Sequence, residues 1–352
     1  MKVALVGLPQ SGKTSLFKAL TGNEPGREKA GITLGTVKVP DARVDKLSAM
    51  YRPKKTAHAV IEVVEAHAPH QDERKASKSA QDAGYLNLVK SMDAFLLVVR
   101  AFDEEGLNDP RADLDTLLSE MILGDLMLVE TRLERDELER KKGKPGMSGE
   151  ERDALDRCRK ILDNNQRIYE AADLAACPEL RSYAFLTARP ILAVVNVGEA
   201  DIPKPTAEVL ARFRLPVAGI PTFACCAKSE GEIQAMPEEE RQEFREMLGV
   251  REPVLDIMVR EVYQALGLVS FLTTGEDECR AWTIRRGTLA PRAAGAVHAD
   301  IEKGFIRAEV ISYDDFIELG SEAAAKKAGK YRLEGREYVV QDGDIVHFRF
   351  NV

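Results

Sequence analysis

Short, continuous runs of apolar residues separated by polar segments mark residues 1–112 and 184–267. Runs of this kind are typical of strands that are buried on both faces of a parallel sheet. The segments between them contain helix-prone stretches, as in βαβ units. The pattern therefore predicts an α/β domain with a parallel-type sheet, whose strands lie at 2–6, 36–39, 59–64, 95–99, 190–195 and 221–225.

The spacing of apolar residues changes to a helical period at Asp113. The helix continues through a charge-dense stretch that ends at Lys142, where a Gly-Lys-Pro-Gly turn follows. Ser148 and Glu151 then form a capping box that starts a second helix. Two helices joined by a tight turn predict an antiparallel helical hairpin inserted at 113–183. This hairpin could be a structural spacer or a docking arm for a large partner.

The pattern changes again at Leu268, after which short β-rich runs alternate with glycine turns. Such a pattern predicts a compact mixed-sheet domain over 268–352. Its strands are expected at 281–284, 307–311, 338–340 and 345–350, with a helix at 322–327. The chain is thus expected to contain three domains, of which the first, over 1–112 and 184–267, is interrupted by the hairpin.

A glycine-framed loop follows the first predicted strand and precedes a helix-prone stretch. It fits the G-x-x-x-x-G-K-[ST] pattern of a phosphate-binding loop, or P-loop. Its glycines let backbone N–H groups curl closely around a phosphate, and the next helix presents its positive dipole end to the same anion. The position between a strand and a helix disfavours a chance match. The predicted nucleotide-binding residues here are Gly7, Leu8, Pro9, Gln10, Ser11, Gly12, Lys13, Thr14 and Ser15.

Two of these residues have distinct expected roles. Lys13 would reach the β- and γ-phosphates, and the Thr14 hydroxyl would ligate Mg²⁺. Residues 22–31 are expected to form a switch loop, after which Thr33 is a second candidate magnesium ligand or an ordinary loop threonine. In the D-x-x-G position of the other switch, the chain has Glu65 and Ala68. Glu65 can still reach a metal through water, whereas alanine restricts the peptide rotation that a switch needs.

A base-binding motif is expected after the strand at 190–195. Where guanine-binding proteins have N-K-x-D, this chain has Asn196, Val197, a glycine and Glu199. The lysine that covers the base is missing, and glutamate replaces the aspartate that accepts two hydrogen bonds from guanine. This replacement should weaken selectivity for guanine and tolerate adenine. A second base-contacting loop is predicted at 226–230.

Composition narrows the classes of function. The 352 residues are 44% hydrophobic and 31% charged, which is typical of a soluble globular protein. Neither a secretory signal nor a membrane-spanning segment is expected from the sequence. Five scattered cysteines argue against a disulfide framework or a zinc site and favour a reducing cytoplasm. The net charge of −8 disfavours non-specific coating of nucleic acid, and no DNA partner is expected.

The C-terminal segments 280–287, 293–298, 304–309 and 342–352, together with Gly7-Leu8-Pro9 and Asn196-x-x-Glu199, resemble the YchF family of Obg-related P-loop NTPases. The likeness extends along the whole chain. The family resemblance implies a β-grasp TGS domain at the C-terminus and use of ATP and GTP, with ATP often preferred. It also implies association with ribosomes, through RNA or protein, by the TGS domain and the hairpin.

Departures from the family pattern concern hydrolysis. The family's loop after the strand at 95–99 carries a histidine proposed to assist hydrolysis, whereas residues 102–110 contain none. No catalytic residue is therefore assigned. The sequence predicts a slow ATPase or GTPase. The alternatives are a nucleotide-gated binding module with little or no hydrolysis, because the second switch is degenerate, and a scaffold with a vestigial loop.

Overall fold

The computed structural model describes residues 1–22, 27–29, 32–66, 89–102, 108–247 and 252–351. Backbone contacts divide the chain into two units. The first contains residues 1–36 and 62–258, and the second contains residues 37–61 and 259–352. The three predicted domain boundaries stay a prediction, but this division adds residues 37–61 to the C-terminal part of the chain.

The described residues form two sheets. Their strands are β1 (Lys2–Val6), β2 (Arg27–Lys29), β3 (Ile32–Lys38), β4 (Lys55–Ala57), β5 (Val60–Ala66), β6 (Ala94–Ala101), β7 (Ile191–Val197), β8 (Thr222–Cys225), β9 (Leu268–Thr273), β10 (Glu278–Arg285), β11 (Phe305–Ser312), β12 (Arg332–Glu334) and β13 (Asp344–Phe350).

Helices connect most of these strands. They are α1 (Lys13–Thr21), α2 (Ala42–Tyr51), α3 (Pro110–Lys141), α4 (Gly149–Asp163), α5 (Ala172–Ala175), α6 (Thr206–Arg212), α7 (Ala227–Ala235), α8 (Glu238–Met247), α9 (Val254–Ala265), α10 (Ala290–Val297), α11 (Ala299–Lys303), α12 (Tyr313–Leu319) and α13 (Glu322–Lys327), with 3₁₀ turns at Ile168–Glu170, Pro178–Tyr183 and Glu199–Asp201. Among the described residues, no helix combines the length and apolar character needed to cross a membrane.

The first sheet has seven strands in the order β2-β3-β5-β1-β6-β7-β8. From β5 to β8 the neighbours are parallel, and β2 and β3 pair in the antiparallel sense. Strand β7 is buried along its whole length, as its apolar sequence predicts. The α/β fold class is confirmed. Because these strands are parallel, their carboxyl ends meet at one edge of the sheet, where ligands of open α/β sheets bind.

The helical hairpin is formed by α3 and α4, which share an apolar core. Helix α3 begins three residues earlier than predicted, at Pro110, because Asp109 caps it by accepting from the N–H groups of Arg111 and Ala112. The Ser148 hydroxyl caps α4 by accepting from the N–H of Glu151, as predicted. In a complete capping box the Glu151 carboxylate would accept from the backbone N–H of Ser148. Here it accepts from the hydroxyl of Tyr183.

A buried aspartate closes the turn between α3 and α4. Asp136 is fully buried and accepts hydrogen bonds from the Met147 N–H at 2.7 Å, from Arg140 at 2.8 Å and from Arg152 at 2.7 Å. Burial alone would raise the pKa of Asp136, but these three donors outweigh it and hold the pKa below the ordinary value of 3.8. The carboxylate therefore stabilises the turn in its charged form.

Replacing Asp136 with asparagine should lower the melting temperature at neutral pH by several degrees. Because the pKa is depressed in the folded state, the charged carboxylate contributes its full stability above pH 3.8, and the contribution is lost as pH falls through the folded pKa. The difference from the wild type should therefore shrink below pH 3.8, measured by thermal unfolding. Asp115→Asn, at an exposed ion pair on the same helix, is the matched control. A pH-independent difference would contradict this assignment.

The second sheet has six strands in the order β12-β11-β13-β9-β10-β4. Strands β9 and β13 run parallel, as do β10 and β4, and the remaining described pairs are antiparallel. Helix α10 contributes small buried alanines to the core beneath the sheet. This mixed sheet with helices is consistent with the predicted TGS-like fold.

Three local predictions were wrong. Residues 27–29 form β2, although the loop at 22–31 was expected to lack strands; its other residues after Gly22 lie outside the described residues. Residues 338–340 make only an isolated bridge between Val339 and Leu289, because the partner segment turns into a helix at Ala290. Residues 227–230 begin helix α7, where a loop was predicted.

Candidate functional site

The predicted P-loop lies at the carboxyl end of β1 and leads directly into α1. Both of its glycines are required by close contacts. A Cβ at Gly7 would lie 2.3 Å from the carbonyl oxygen of Val98. Gly12 has a φ of +91°, and a Cβ there would lie 2.0 Å from Nδ2 of Asn196. The glycine spacing of the motif is thus matched by the packing around the loop.

Lys13 folds back over the loop that precedes it. Its Nζ donates to the carbonyl oxygens of Gly7 and Leu8, each at 2.9 Å. Burial lowers the pKa of Lys13, and the carboxylate of Glu65 acts in the opposite direction. The ammonium is therefore held at the loop, partly removed from water, where an anion would strengthen its charged form.

Thr14 and Glu65 are in direct contact. The Thr14 hydroxyl donates to Oε1 of Glu65 across 2.5 Å, and Glu65 is only 2% exposed. Strand β5 brings Glu65 opposite Leu5 of β1. A hydroxyl and a carboxylate are hard oxygen donors of the kind that Mg²⁺ prefers, and a buried carboxylate favours a nearby cation. These two residues therefore fit the predicted magnesium site.

The other switch residues are placed differently. Thr33 lies within β3, opposite Glu28 of β2, and not in a loop. A hydroxyl in a paired strand has less freedom to close on a ligand than one in a loop, so its role as a magnesium ligand stays a prediction. Ala68 lies outside the described residues.

Asn196 holds the P-loop against the neighbouring strand and helix. It is 5% exposed; its Nδ2 donates to the carbonyl oxygen of Ser11, and its Oδ1 accepts from the N–H of Ala227, both at 3.1 Å. The residue thus connects the loop after β1 with the start of α7. The sequence pattern indicated a base-contacting asparagine but not this clamp, which only the three-dimensional contacts reveal.

A cleft of about 990 Å³ opens beside the P-loop at the carboxyl ends of β6, β7 and β8. It is large enough for a nucleoside with its phosphates, given the usual size of ligand pockets. The cleft brings together five of the predicted site residues, which are Gly12, Ser15, Asn196, Val197 and Glu199. Of the other P-loop residues, Gln10 has a φ of +62°, Pro9 is exposed, and Ser11 is buried.

The far wall of the cleft contains a charged cluster that the sequence did not indicate. Asp201 is 8% exposed and forms ion pairs with Arg212 at 2.5 Å and Lys204 at 2.8 Å. The hydrogen bond from Arg212 lowers the pKa of Asp201. The Arg212 guanidinium also lies over the ring of Phe213, 4.4 Å from its centroid. These residues belong to no short motif, so no local signal could have identified them.

Phe102 was also missed, although its position contained a signal. It follows β6 directly and lines the cleft, with its ring near Gly12. Residues just after parallel strands lie at the ligand-binding edge of such sheets. The Arg100 guanidinium lies 4.7 Å from the centroid of the Phe102 ring, and its NH1 is 3.5 Å from Oε1 of Gln10.

Lys228 and Glu199 form an ion pair on the wall of the cleft. Nζ of Lys228 lies 2.8 Å from Oε1 of Glu199. The predicted base-contacting loop at 226–230 includes Lys228. Lys228 lines the cleft, but it lies in the first turn of α7 and not in a loop.

Similarity to known proteins extends over the whole chain. The chain is 37% identical to the Ribosome-binding ATPase YchF of Bacillus subtilis (strain 168), with 100% of both proteins covered. It is 35% identical to Obg-like ATPase 1 of Caenorhabditis elegans, covering 100% of this chain and 92% of that protein.

Structure and domain comparisons agree with these sequence matches. The structure of the Schizosaccharomyces pombe YchF GTPase superposes with a TM-score of 0.79 at 30% identity, covering 99% of this chain and 97% of that one. Residues 268–351 match the family model YchF-GTPase_C, described as "Protein of unknown function (DUF933)". The sequence similarity extends over the full length of the chain, the fold is shared, and the C-terminal residues match the family model. The chain therefore belongs to the YchF family.

Proposed function

We propose that this protein binds nucleoside triphosphates together with Mg²⁺, prefers ATP while accepting GTP, and hydrolyses the bound nucleotide slowly. The observation that carries the proposal is the P-loop between β1 and α1, with Lys13 at its carbonyls and a 990 Å³ cleft beside it. A loop of this form cradles phosphates, and the adjoining cleft has room for the base.

The residues divide into three groups by role. Gly7 to Ser15 hold the phosphates through backbone N–H groups, and Lys13 supplies the positive charge. Thr14 would hold Mg²⁺ directly, and Glu65 would hold it through a water molecule. The bound metal would neutralise charge on the phosphates. Asn196, Val197 and Glu199 hold the base, with Asn196 also fixing the loop. Thr33 stays the weaker candidate for a second metal ligand.

The partner that we propose is the ribosome. The names of the B. subtilis and C. elegans relatives describe, respectively, a ribosome-binding ATPase and an ATPase. The TGS-like C-terminal unit and the helical hairpin are the surfaces that we assign to ribosomal RNA or protein. A ribosomal partner would place the protein in the cytoplasm.

The second candidate function is a nucleotide-gated binding module without useful hydrolysis. The degenerate second switch favours it, because Glu65 stands where the D-x-x-G pattern has aspartate. The sequence also lacks the glycine of the D-x-x-G switch, where it has Ala68. In this alternative, ATP binding changes how the protein docks, and turnover is absent.

Calorimetric titration with ATP and GTP in Mg²⁺, followed by phosphate release from the same sample with and without ribosomes, tests the proposal. We expect ATP to bind at least tenfold more tightly than GTP, a difference of about 1.4 kcal/mol. Slow phosphate release would support the ATPase, and tight binding without release would support the gated module. Equal or GTP-preferring affinity would contradict the interpretation of Glu199, and no binding of either nucleotide would contradict the whole proposal.

A further inference from the structure

The turn between α3 and α4 contains a lysine cluster, which consists of Lys141, Lys142 and Lys144. Lys141 is the last residue of α3, and the other two follow it in the turn. All three residues are exposed. Within the part of the chain that the structure describes, none of the three forms an ion pair. Their positive charge is therefore available to a partner.

The acidic residues on the last two turns of α3 do not neutralise this cluster, because each is already paired with an arginine. Asp136 pairs with Arg140, Glu137 with Arg152 and Glu139 with Arg135.

The dipole of α3 explains only part of the cluster. It favours cations in the last turn of the helix, which Arg140 and Lys141 supply. Lys142 and Lys144 lie beyond that turn, where the effect of the dipole falls off. Two of the three lysines therefore have no evident role in stabilising the helix.

The backbone that carries the cluster is held in one conformation. Gly143 has a φ of +69°, and the N–H of Lys144 bonds back to the carbonyl oxygen of Glu139 at 3.0 Å. On the buried side of the turn, a Cβ at Gly146 would lie 2.3 Å from Oδ1 of Asp136. The turn is thus closely packed against the buried carboxylate. A partner that binds the lysines would have to order their side chains but little of the backbone, which lowers the entropic cost of binding.

Helix α3 carries the cluster away from the parallel sheet. Leu114, Leu117 and Met121 pack in the core of the sheet, whereas the helix from Ile122 onward packs in the core of the hairpin. The residues from Met121 to Lys141 span about 30 Å of helix. The lysine cluster therefore lies at the far end of an arm, where a large partner can reach it.

The chemistry of the cluster favours RNA over protein as the partner. Lysine is depleted in the cores of protein–protein interfaces, whereas lysine and arginine are common ligands of nucleic-acid phosphates. The chain has a net charge of −8, so RNA is repelled by the protein as a whole. A positive cluster at the end of an arm lets RNA bind with the least opposition from the rest of the chain.

We propose that the ammonium groups of Lys141, Lys142 and Lys144 bind backbone phosphates of ribosomal RNA. This inference rests on the proposed function, because it takes the ribosome as the partner. It selects RNA and not protein as the ligand of the hairpin, and it assigns the contact to three residues. Phosphate contacts position a protein without reading bases, so the cluster contributes affinity and not sequence specificity.

The test measures binding to purified bacterial 70S ribosomes, and to protein-free ribosomal RNA extracted from them, over a range of KCl concentrations at constant Mg²⁺. The variant Lys142→Gln/Lys144→Gln removes two charges beyond the helix. Lys142→Arg/Lys144→Arg keeps both charges. Lys18→Gln/Lys160→Gln is the matched control, since it removes two exposed lysines elsewhere in the same unit. Thermal unfolding and titration with ATP verify that each variant is folded.

The glutamine variant at Lys142 and Lys144 should bind ribosomes and RNA about thirtyfold more weakly at 0.1 M KCl. Each phosphate contact contributes about 0.7–0.9 to the slope of log K against log salt concentration, so that slope should become shallower by about 1.4–1.8. Between 0.1 M and 1 M salt, such a change in slope equals about thirtyfold in affinity. The arginine variant and the matched control should bind as the wild type does.

The outcomes separate this inference from the proposed function. If the glutamine variant keeps the wild-type affinity and salt slope, the cluster binds no phosphate and the inference is overturned, while the ribosomal partner stands. Weaker binding to ribosomes with unchanged binding to RNA would place ribosomal protein at the cluster and overturn it as well. An equal loss in the matched control would assign the effect to net charge, which also overturns it. If the wild type binds neither ribosomes nor RNA, the proposed partner fails and the inference fails with it.

Discussion

Lys13→Met should lower the affinity for ATP by about a hundredfold or more. Methionine keeps an unbranched side chain of similar length but has neither charge nor an N–H donor. Hydrogen bonds to charged groups contribute about 1.5–3 kcal/mol. The phosphates would also lose Coulomb attraction, so a loss of about 2.7 kcal/mol, equal to a hundredfold, is expected. Calorimetric titration with ATP in Mg²⁺ measures it.

The position of Lys13 explains why the effect should be large. Its Nζ is already held by the carbonyl oxygens of Gly7 and Leu8, so little ordering is needed when a phosphate binds. Lys18→Met is the matched control, because Lys18 lies on the same helix but is exposed. The control should bind ATP as the wild type does. Wild-type affinity in Lys13→Met would show that this loop is not the phosphate site.

Gly12→Ala should lower the affinity for ATP by a similar factor, about a hundredfold, for a steric reason. The added Cβ would lie 2.0 Å from Nδ2 of Asn196, which is too close for any real contact. Asn196 would have to move, and its bonds to Ser11 and Ala227 would break. The loop would then lose its connection to β7 and α7, and the base-binding residues would shift from the phosphate-binding ones. Calorimetry with ATP measures this loss.

Gly22→Ala is the control that distinguishes a steric clash with Asn196 from strain of a backbone with positive φ. Gly22 also has a positive φ, of +68°, but a Cβ there would have nothing within 4 Å. Both variants carry the cost of placing alanine in the left-handed region, about 1 kcal/mol. Only Gly12→Ala should therefore lose affinity strongly. Equal losses in the two variants would point to strain in α1 and would count against the role of the Asn196 clamp.

Local signals account for the parts of the fold that could be predicted. Strands such as β6 and β7 are continuous apolar runs, and the P-loop is defined by two glycines at a fixed spacing. Both signals lie within a few residues and reflect burial or backbone geometry directly. The chain's α/β class and the position of the phosphate loop between β1 and α1 followed from them.

Long-range pairing accounts for what could not be predicted. Strand β4 contains three residues, Lys55 to Ala57, and has no apolar pattern of its own. It is a strand only because its backbone pairs with β10. The reverse error occurred at 338–340, whose apolar residues resemble a strand. There a single bridge joins Val339 to Leu289, and it does not extend into a ladder because a helix begins at Ala290.

The candidate site shows the same division. The sequence located Asn196 and Glu199 by analogy with a base-binding motif, and the structure places both on the cleft. It could not show that Asn196 clamps the P-loop or that Lys228 pairs with Glu199, because these contacts join segments that are distant in sequence. Spacing within a motif identifies candidate residues, but their partners depend on the packing of several strands.

The pairing of β4 with β10 has a consequence for the order of events during synthesis. The bond between Lys54 and Asp277, at the start of this pairing, spans 223 residues. At the usual translation rates of about 5–20 residues per second, the ribosome needs roughly 11–45 s to make the intervening chain. During that time β4 has been made, but the other strands of its sheet have not. An unpaired strand is a site for association with other chains. The sequence of β4 is polar, and Lys55 and Thr56 are exposed. This polarity would disfavour association of the unpaired strand with other chains until the C-terminal sheet is complete.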